Sequence, residues 1–180
     1  MKIKKIRSFL VGMFFLSGIF IIQGCSETAF YDDTYSFDDL EWNKGDTAVF
    51  TIDVNDTISH YDFLLTLRTT TEYQYSNLWV YIYSTAPDES TSKIAQKVPL
   101  ARPDGSWMGR KSGTVVESRL RFDSNTFPLK GEYSFKIVNA TRKETISNVL
   151  DIGLRIEESA GVSQDNKVPQ NSNLPPKRER

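Results

Sequence analysis

The sequence is poor in the residues that most often build catalytic and metal centres. Its 180 residues include one cysteine, Cys25, and one histidine, His60. A single cysteine cannot form an intramolecular disulfide, and one histidine with one cysteine is too few for a conventional zinc site. We therefore expect a fold held together by packing alone, with no metal and no cofactor.

An excess of basic charge is also missing. The chain has 22 Lys and Arg residues against 23 Asp and Glu residues. Four of the basic residues lie within the first seven positions, and without residues 1–24 the balance is 18 basic to 23 acidic side chains, a formal charge of about minus five. No stripe of Lys and Arg interleaved with aromatics occurs. This balance disfavours nucleic acid as a partner.

The N-terminus has the layout of a bacterial lipoprotein signal. A basic start precedes an apolar run over residues 9–22, which is shorter than the roughly 20 residues that a membrane-spanning helix needs. The run ends in Ile-Gln-Gly-Cys at residues 22–25, with a small residue before the cysteine. We predict that residues 1–24 are cleaved and that Cys25 carries the lipid that holds the chain on a membrane.

Alternation with a period of two dominates the rest of the chain, and no convincing amphipathic helix interrupts it. This pattern predicts an all-β fold, an antiparallel β-sandwich with an immunoglobulin-like arrangement, over residues 42–158. A Pro-Asp-Gly turn at residues 103–105 predicts a hairpin between residues 93–100 and 106–110. The other strands are expected at residues 50–54, 61–68, 78–83, 116–122, 132–138 and 150–157.

Two segments flank the predicted domain. Residues 25–41 mix aromatic and aspartate residues, and we predict a lipidated tether that docks only partly onto the sheet. Residues 159–180 are rich in Ser, Asn, Pro and charged residues and have almost no large apolar side chain. Such a composition cannot offset the entropy of ordering, so it predicts a disordered tail.

One predicted strand has large side chains on both faces. Trp79, Tyr81 and Tyr83 alternate with three aliphatic residues. Either the aromatic face is covered by the tether or a loop, or it forms an exposed platform for another protein or a sugar ring. Tyr75 precedes this strand, and Trp107 follows the Pro-Asp-Gly turn, where packing back onto the sheet is the simpler interpretation. These five aromatics are the candidate interface residues.

Catalytic constellations are scarce. His60 lies in a polar loop with Ser59 and Asp62 but without a nucleophile-elbow motif, so a solvated histidine is the better interpretation. The acidic stretches at residues 32–39 and 53–56 lack the spacing, glycine and terminal glutamate of a calcium loop. We therefore expect a protein that is not an enzyme.

A set of aromatic and Leu-Arg elements carries a family resemblance. Its members are Trp42, Tyr61-Asp62-Phe63, Leu67-Arg68, the Tyr-Gln-Tyr-Ser-Asn-Leu run at 73–78 and the Asp-Ile-Gly-Leu-Arg-Ile run at 151–156. From the signal to about residue 158, the chain resembles the gliding motility lipoprotein family GldH. This resemblance implies an envelope lipoprotein of Bacteroidota, associated with gliding and with the secretion apparatus that exports adhesins, and no enzyme activity.

Three classes of function follow from these features. The first is a non-catalytic interaction lipoprotein of the gliding and secretion machinery, most simply on the outer membrane, with other envelope proteins as partners. The second is a glycan-binding surface lipoprotein, and the third is a hydrolase that depends on His60. The resemblance places the interaction protein first.

Overall fold

The computed structural model describes residues 29–159. The predicted signal, Cys25 and the predicted tail from residue 160 onward lie outside these residues. No helix among residues 29–159 is long and apolar enough to span a membrane. The described chain forms a 3-10 turn at Asp38–Leu40 and eleven strands: β1 Tyr31–Ser36, β2 Glu41–Asn43, β3 Thr47–Val54, β4 Tyr61–Thr70, β5 Asn77–Thr85, β6 Thr91–Pro99, β7 Arg110–Ser112, β8 Val115–Asn125, β9 Gly131–Asn139, β10 Thr145–Ser147 and β11 Val149–Glu158.

The predicted antiparallel β-sandwich is confirmed. One sheet has five strands in the order β1-β11-β4-β8-β7, and the other has four in the order β3-β9-β5-β6. A two-stranded ribbon of β2 and β10 covers one end, where Trp42 is fully buried opposite Ile146. The Trp42 indole nitrogen donates to the carbonyl oxygen of Asp46 at 3.0 Å, which satisfies its one polar atom.

Alternation accounts for the core between the sheets. Every second residue of β3 and β4, and of β5 as far as Ile82, points inward and is buried, because successive side chains of a strand project to opposite faces. The buried members of these three strands include Phe50, Ile52, Val54, Phe63, Leu65, Leu67, Leu78, Val80 and Ile82. Burial of each such side chain stabilises the folded state by roughly 1.5 to 3 kcal/mol. Packing alone can therefore hold this fold together without disulfides.

The domain begins earlier than the sequence predicts. Residues 31–36 of the predicted tether form β1, which pairs with β11 along its whole length. Phe37 is buried and stacks on Trp42, with ring centroids 4.6 Å apart. An edge strand pairs on only one side and needs little apolar surface. The polar sequence of β1 therefore gives no alternation from which the strand could be predicted. At the other end, Ser159 belongs to the domain, since its N–H donates to the His60 carbonyl oxygen at 2.8 Å.

The predicted hairpin between residues 93–100 and 106–110 is wrong. β6 pairs with β5 throughout, and β7 pairs with β8 in the other sheet. The turn itself is present, because the Gly105 N–H donates to the Arg102 carbonyl oxygen at 2.9 Å and Gly105 has a φ of 83°. The chain crosses between sheets here, so only the Ala101–Trp107 bridge forms across the turn.

The two ends of the sandwich differ in their relation to Cys25. Phe30 packs against Tyr61, with ring centroids 5.0 Å apart, at the end that also holds Ser159, which we call the anchor end. Cys25 is five residues before Phe30, a reach of at most about 18 Å. The opposite end, formed by residues 71–76, 100–109 and 140–144, is the distal end. The ten residues of β4 separate the two ends by about 33 Å.

Candidate functional site

The aromatic side of β5 lies on the outer face of the four-stranded sheet. Trp79 is 45% exposed, and Tyr81 and Tyr83 are half-buried, whereas the alternate residues of the strand face the core. Trp79 borders a groove with Thr141 and Lys143 but keeps almost half of its surface exposed. The structure therefore favours the exposed platform over a covered strand, and a role of this surface in binding stays a prediction.

Lysines flank the aromatic row on both neighbouring strands. On β6, Lys97 lies opposite Trp79 and Lys93 opposite Tyr83, and on β9, Lys136 also lies opposite Tyr83. Since directly paired residues of adjacent strands share a face, these lysines and aromatics form one surface. We call it the aromatic–lysine face, and its members are Trp79, Tyr81, Tyr83, Lys93, Lys97 and Lys136.

The centre of the aromatic–lysine face is held by ring contacts. The Lys93 Nζ atom lies 3.8 Å from the Tyr81 ring centroid and 5.1 Å from that of Tyr83. The two tyrosine rings meet edge to face at 6.4 Å. A hydrogen bond with Tyr83 raises the pKa of Lys93, so the amine stays charged at neutral pH. These contacts place the Lys93 amine beside both tyrosine rings.

Among residues 29–159, the lysines of this face have no carboxylate partner. Within residues 29–159, no ion pair involves Lys93, Lys97 or Lys136. Two acids of the same sheet, Asp53 and Glu132, lie opposite each other in the register of β3 and β9 at the anchor end. The face therefore presents uncompensated positive charge on a chain whose overall charge is negative.

Arginines on the outer face of the five-stranded sheet are paired instead. The Arg68 Nε atom donates to both carboxylate oxygens of Asp151, at 2.8 and 2.9 Å. The Arg155 guanidinium donates to Asp32 at 2.7 Å and to Glu157 at 2.9 Å. The hydrogen bond with Asp151 raises the pKa of Arg68, although partial burial opposes the charge. The ion pairs thus join neighbouring strands, and they involve three residues of the family resemblance, Arg68, Asp151 and Arg155.

Gly153, another residue of that resemblance, sits under the edge strand. A Cβ atom there would lie 3.0 Å from the Thr34 Oγ1 atom and 3.1 Å from the Asp33 carbonyl oxygen. Such distances are tighter than ordinary contact, so the missing side chain lets β1 lie close against β11. The Gly-Leu-Arg element therefore has a packing role in the sheet.

A groove at the distal end continues the aromatic–lysine face. It has a volume of about 390 Å³, and its walls include Trp79, Tyr75 and Lys143, with Tyr73 and Ile146 at its base. Tyr75 is 42% exposed, and the Lys143 Nζ atom lies 5.0 Å from its ring centroid. Burial raises the pKa of Tyr73, so its hydroxyl is neutral. The groove offers aromatic surfaces beside a further lysine.

Trp107 packs against the hydrophobic core and is half-buried, as the sequence analysis expected. It lines a second groove at the distal end together with Tyr75 and Arg102. Tyr75 therefore lines both grooves, and three of the five candidate aromatics, Tyr75, Trp79 and Trp107, line grooves at this end. Sequence reasoning missed Lys97, Lys136 and Lys143, because their proximity depends on strand pairing that no local pattern shows.

The remaining chemical candidates are scattered. His60 is exposed at the anchor end, just before β4. Within the described part of the chain, no group of three or more His, Cys, Asp or Glu residues is placed to hold a metal ion. The acidic stretches at residues 32–39 and 53–56 are divided between β1, the turn after it, the end of β3 and the β3–β4 loop.

Comparison with known proteins gives a consistent set of relatives. A family model described as GldH lipoprotein matches residues 29–156. The gliding motility lipoprotein GldH homolog of Christiangramia forsetii is 29% identical over 161 residues, which cover 85% of this chain and 98% of that protein. The gliding motility lipoprotein GldH of Flavobacterium johnsoniae is 26% identical over 154 residues, which cover 82% of this chain and 95% of that protein. A structure of infectious bursal disease virus, Gt strain, aligns at a TM-score of 0.35 with 16% identity over 77% of this chain and 34% of that one, too distant to indicate shared function.

Proposed function

The chain belongs to the GldH lipoprotein family, and we propose that it serves gliding motility as a lipid-anchored envelope protein that binds another envelope protein. Support for the process comes from the two relatives, whose names state gliding motility and which align over nearly their whole length. We further propose that the protein acts by recognition rather than by catalysis.

The exposed aromatic row on β5 is the observation that supports recognition. Trp79, Tyr81 and Tyr83 stand side by side on a regular strand, and Trp79 is 45% exposed. Tryptophan and tyrosine are enriched at protein interfaces, where a few such residues supply most of the binding energy. An ordered sheet presents them at little further entropic cost. We propose that these residues, with Tyr75 and Trp107 at the distal end, contact the partner.

The position of the anchor supports the same function. A lipid on Cys25 would hold the anchor end towards the membrane, since Phe30 leaves the domain there. The distal grooves would then lie about 33 Å farther out, the length of β4. We propose an outer-membrane lipoprotein of the gliding and secretion apparatus whose distal end and aromatic–lysine face are accessible to a partner.

Removal of the aromatic surface tests this function. The double variant Trp79→Ala, Tyr81→Ala should lower the free energy of unfolding by only about 1 to 2 kcal/mol, because both side chains keep solvent contact. Colony spreading of a gliding host that depends on this protein should nevertheless be lost. Spreading and urea unfolding of the membrane-bound protein are the two measurements.

Two matched variants make the result interpretable. Arg119→Ala changes an exposed residue of the opposite sheet and should leave spreading intact. Leu78→Ala, at a 1% exposed position of the same strand, should cost about 2 to 5 kcal/mol. Normal spreading of the stable double variant would refute the interface. Saturable glycan binding that Trp79→Ala abolishes would instead support the glycan-binding alternative.

A further inference from the structure

We propose that the partner supplies an extended segment that adds to the edge of β6, with acidic side chains over the aromatic–lysine face and apolar side chains towards the sandwich interior. This inference rests on the proposed binding function and names the chemistry and the binding mode of the partner. Three independent features of the β6 region support it: lysines without an ion-pair partner and a strand edge without a neighbouring strand, both within residues 29–159, and an apolar crevice.

The positive charge of the aromatic–lysine face indicates that the partner segment is acidic on the side that covers it. Lys93 and Lys97 project from β6 itself, and Lys136 lies two strands away on the same face. None of the three has an ion-pair partner within residues 29–159, whereas the arginines Arg68 and Arg155 of the opposite face are paired. Carboxylates aligned with these lysines would complement the face, and the contact would weaken with salt.

The edge of β6 indicates an extended occupant. β6 is the last strand of the four-stranded sheet, and in the part of the chain that the structure describes its outer edge pairs with no strand. It is nine residues long, and most of it is exposed. Such an edge presents a row of backbone donors and acceptors that an extended peptide can satisfy by strand addition.

An apolar crevice lies on the inner side of the same edge. Ile94 faces inward beside Ile82 but is still 39% exposed. The crevice next to it has a volume of about 340 Å³ and is lined by Phe63, Phe122 and Phe127 among others. Because side chains of a strand alternate, an added strand would turn every second residue to the inner side, where those beside Thr91–Ile94 would enter the crevice, and the others to the side of the lysines.

The charge distribution disfavours an anionic membrane as the occupant. The anchor end, where the lipid would lie, has one lysine, Lys130, beside Gly131, but more acidic residues in its loops and strand ends, among them Asp53, Asp56, Asp88, Glu89, Glu132 and Glu158. Lys97 lies towards the opposite end, beside Trp79. A domain anchored through Cys25 would thus turn these acidic residues to the headgroups and hold Lys97 away from them, whereas Lys93 lies nearer the anchor end, opposite Tyr83.

Zero-length carbodiimide crosslinking in intact cells tests the proposal directly, because it joins amines only to carboxylates in contact. After capture of the full lipoprotein and peptide mass spectrometry, Lys93 or Lys97 should be joined to Asp or Glu of a second protein. The linked peptide should carry apolar residues at alternate positions. The Lys44–Glu144 pair, 3.5 Å apart within the chain, reports that the reaction occurred. If the Lys44–Glu144 link forms but Lys93, Lys97 and Lys136 are not linked to any second protein, the proposal is overturned. A lipid partner would give this same result.

Substitutions separate this inference from the proposed function. Lys93→Glu, Lys97→Glu should reduce the Lys136 crosslink and colony spreading at least tenfold, and Ile94→Asp should do the same through the crevice. Lys111→Glu, an exposed change on β7, is the matched control and should have no effect. If colonies with these variants spread normally while those with Trp79→Ala, Tyr81→Ala do not, the proposed acidic partner strand is refuted and the proposed binding function is retained. If they only make the protein self-associate, the lysines protect the edge instead.

Discussion

Replacement of Arg68 by Met should lower the free energy of unfolding by about 3 to 5 kcal/mol, because it leaves the Asp151 carboxylate buried and unpaired. Asp151 is 3% exposed, and the Arg68 guanidinium supplies its ion pair. A methionine fills the space of the arginine stem but cannot donate a hydrogen bond. Urea unfolding followed by tryptophan fluorescence measures the loss.

The reciprocal change should cost less. In Asp151→Leu, the Arg68 side chain remains, but it is 44% exposed and can be solvated, so we expect about 1 to 2 kcal/mol. The double variant Arg68→Met, Asp151→Leu should recover most of the stability lost in Arg68→Met, since no unpaired charge stays buried. Equal losses in the two single variants, with no recovery in the double variant, would contradict this assignment of the ion pair.

Replacement of Cys25 by Ser should abolish lipid attachment entirely. Cys25 is the one cysteine of the chain, so no other thiol can carry the thioether-linked lipid. The variant should lose its fatty-acid label, retain its signal and no longer sort to the membrane as a processed lipoprotein. Metabolic labelling with a fatty acid, followed by capture of the protein, is the measurement. A label that persists in Cys25→Ser would show that the lipid is elsewhere.

Strands with one apolar face could be predicted from the sequence, because apolar and polar residues alternate within the strand itself. Phe50, Ile52 and Val54 alternate with polar residues, and the structure buries all three in β3. The same logic located β4, β5, β9 and β11, as well as the sandwich that they form. In each case the pattern within six to ten residues contains the whole signal.

The edges of the sheets could not be predicted in this way. β1 is mostly exposed along its six residues, and its place is fixed by pairing with β11, more than a hundred residues later. β6 was assigned to the wrong partner because the Arg102–Gly105 turn indicates a local hairpin. That turn instead lies in a crossover between sheets, a long-range feature that turn chemistry does not encode.

The candidate site also has a part that the sequence predicts and a part that depends on strand pairing. Trp79, Tyr81 and Tyr83 were found from their alternation, but whether they are covered depended on the rest of the fold. Lys97 and Lys136 join them only through the register of β6 and β9 with β5. Conversely, Arg68 and Gly153, which drew attention as family elements, prove to hold strands together.

Site-specific photocrosslinking in living cells tests the central claim, that the aromatic–lysine face is the binding surface, most directly. A benzophenone amino acid at position 81, on that face, should give a discrete adduct with another envelope protein. The same group at position 119, exposed on the opposite sheet, is the matched control and should give none. An adduct from position 119 together with none from position 81, when both proteins are lipidated and folded, would contradict the account.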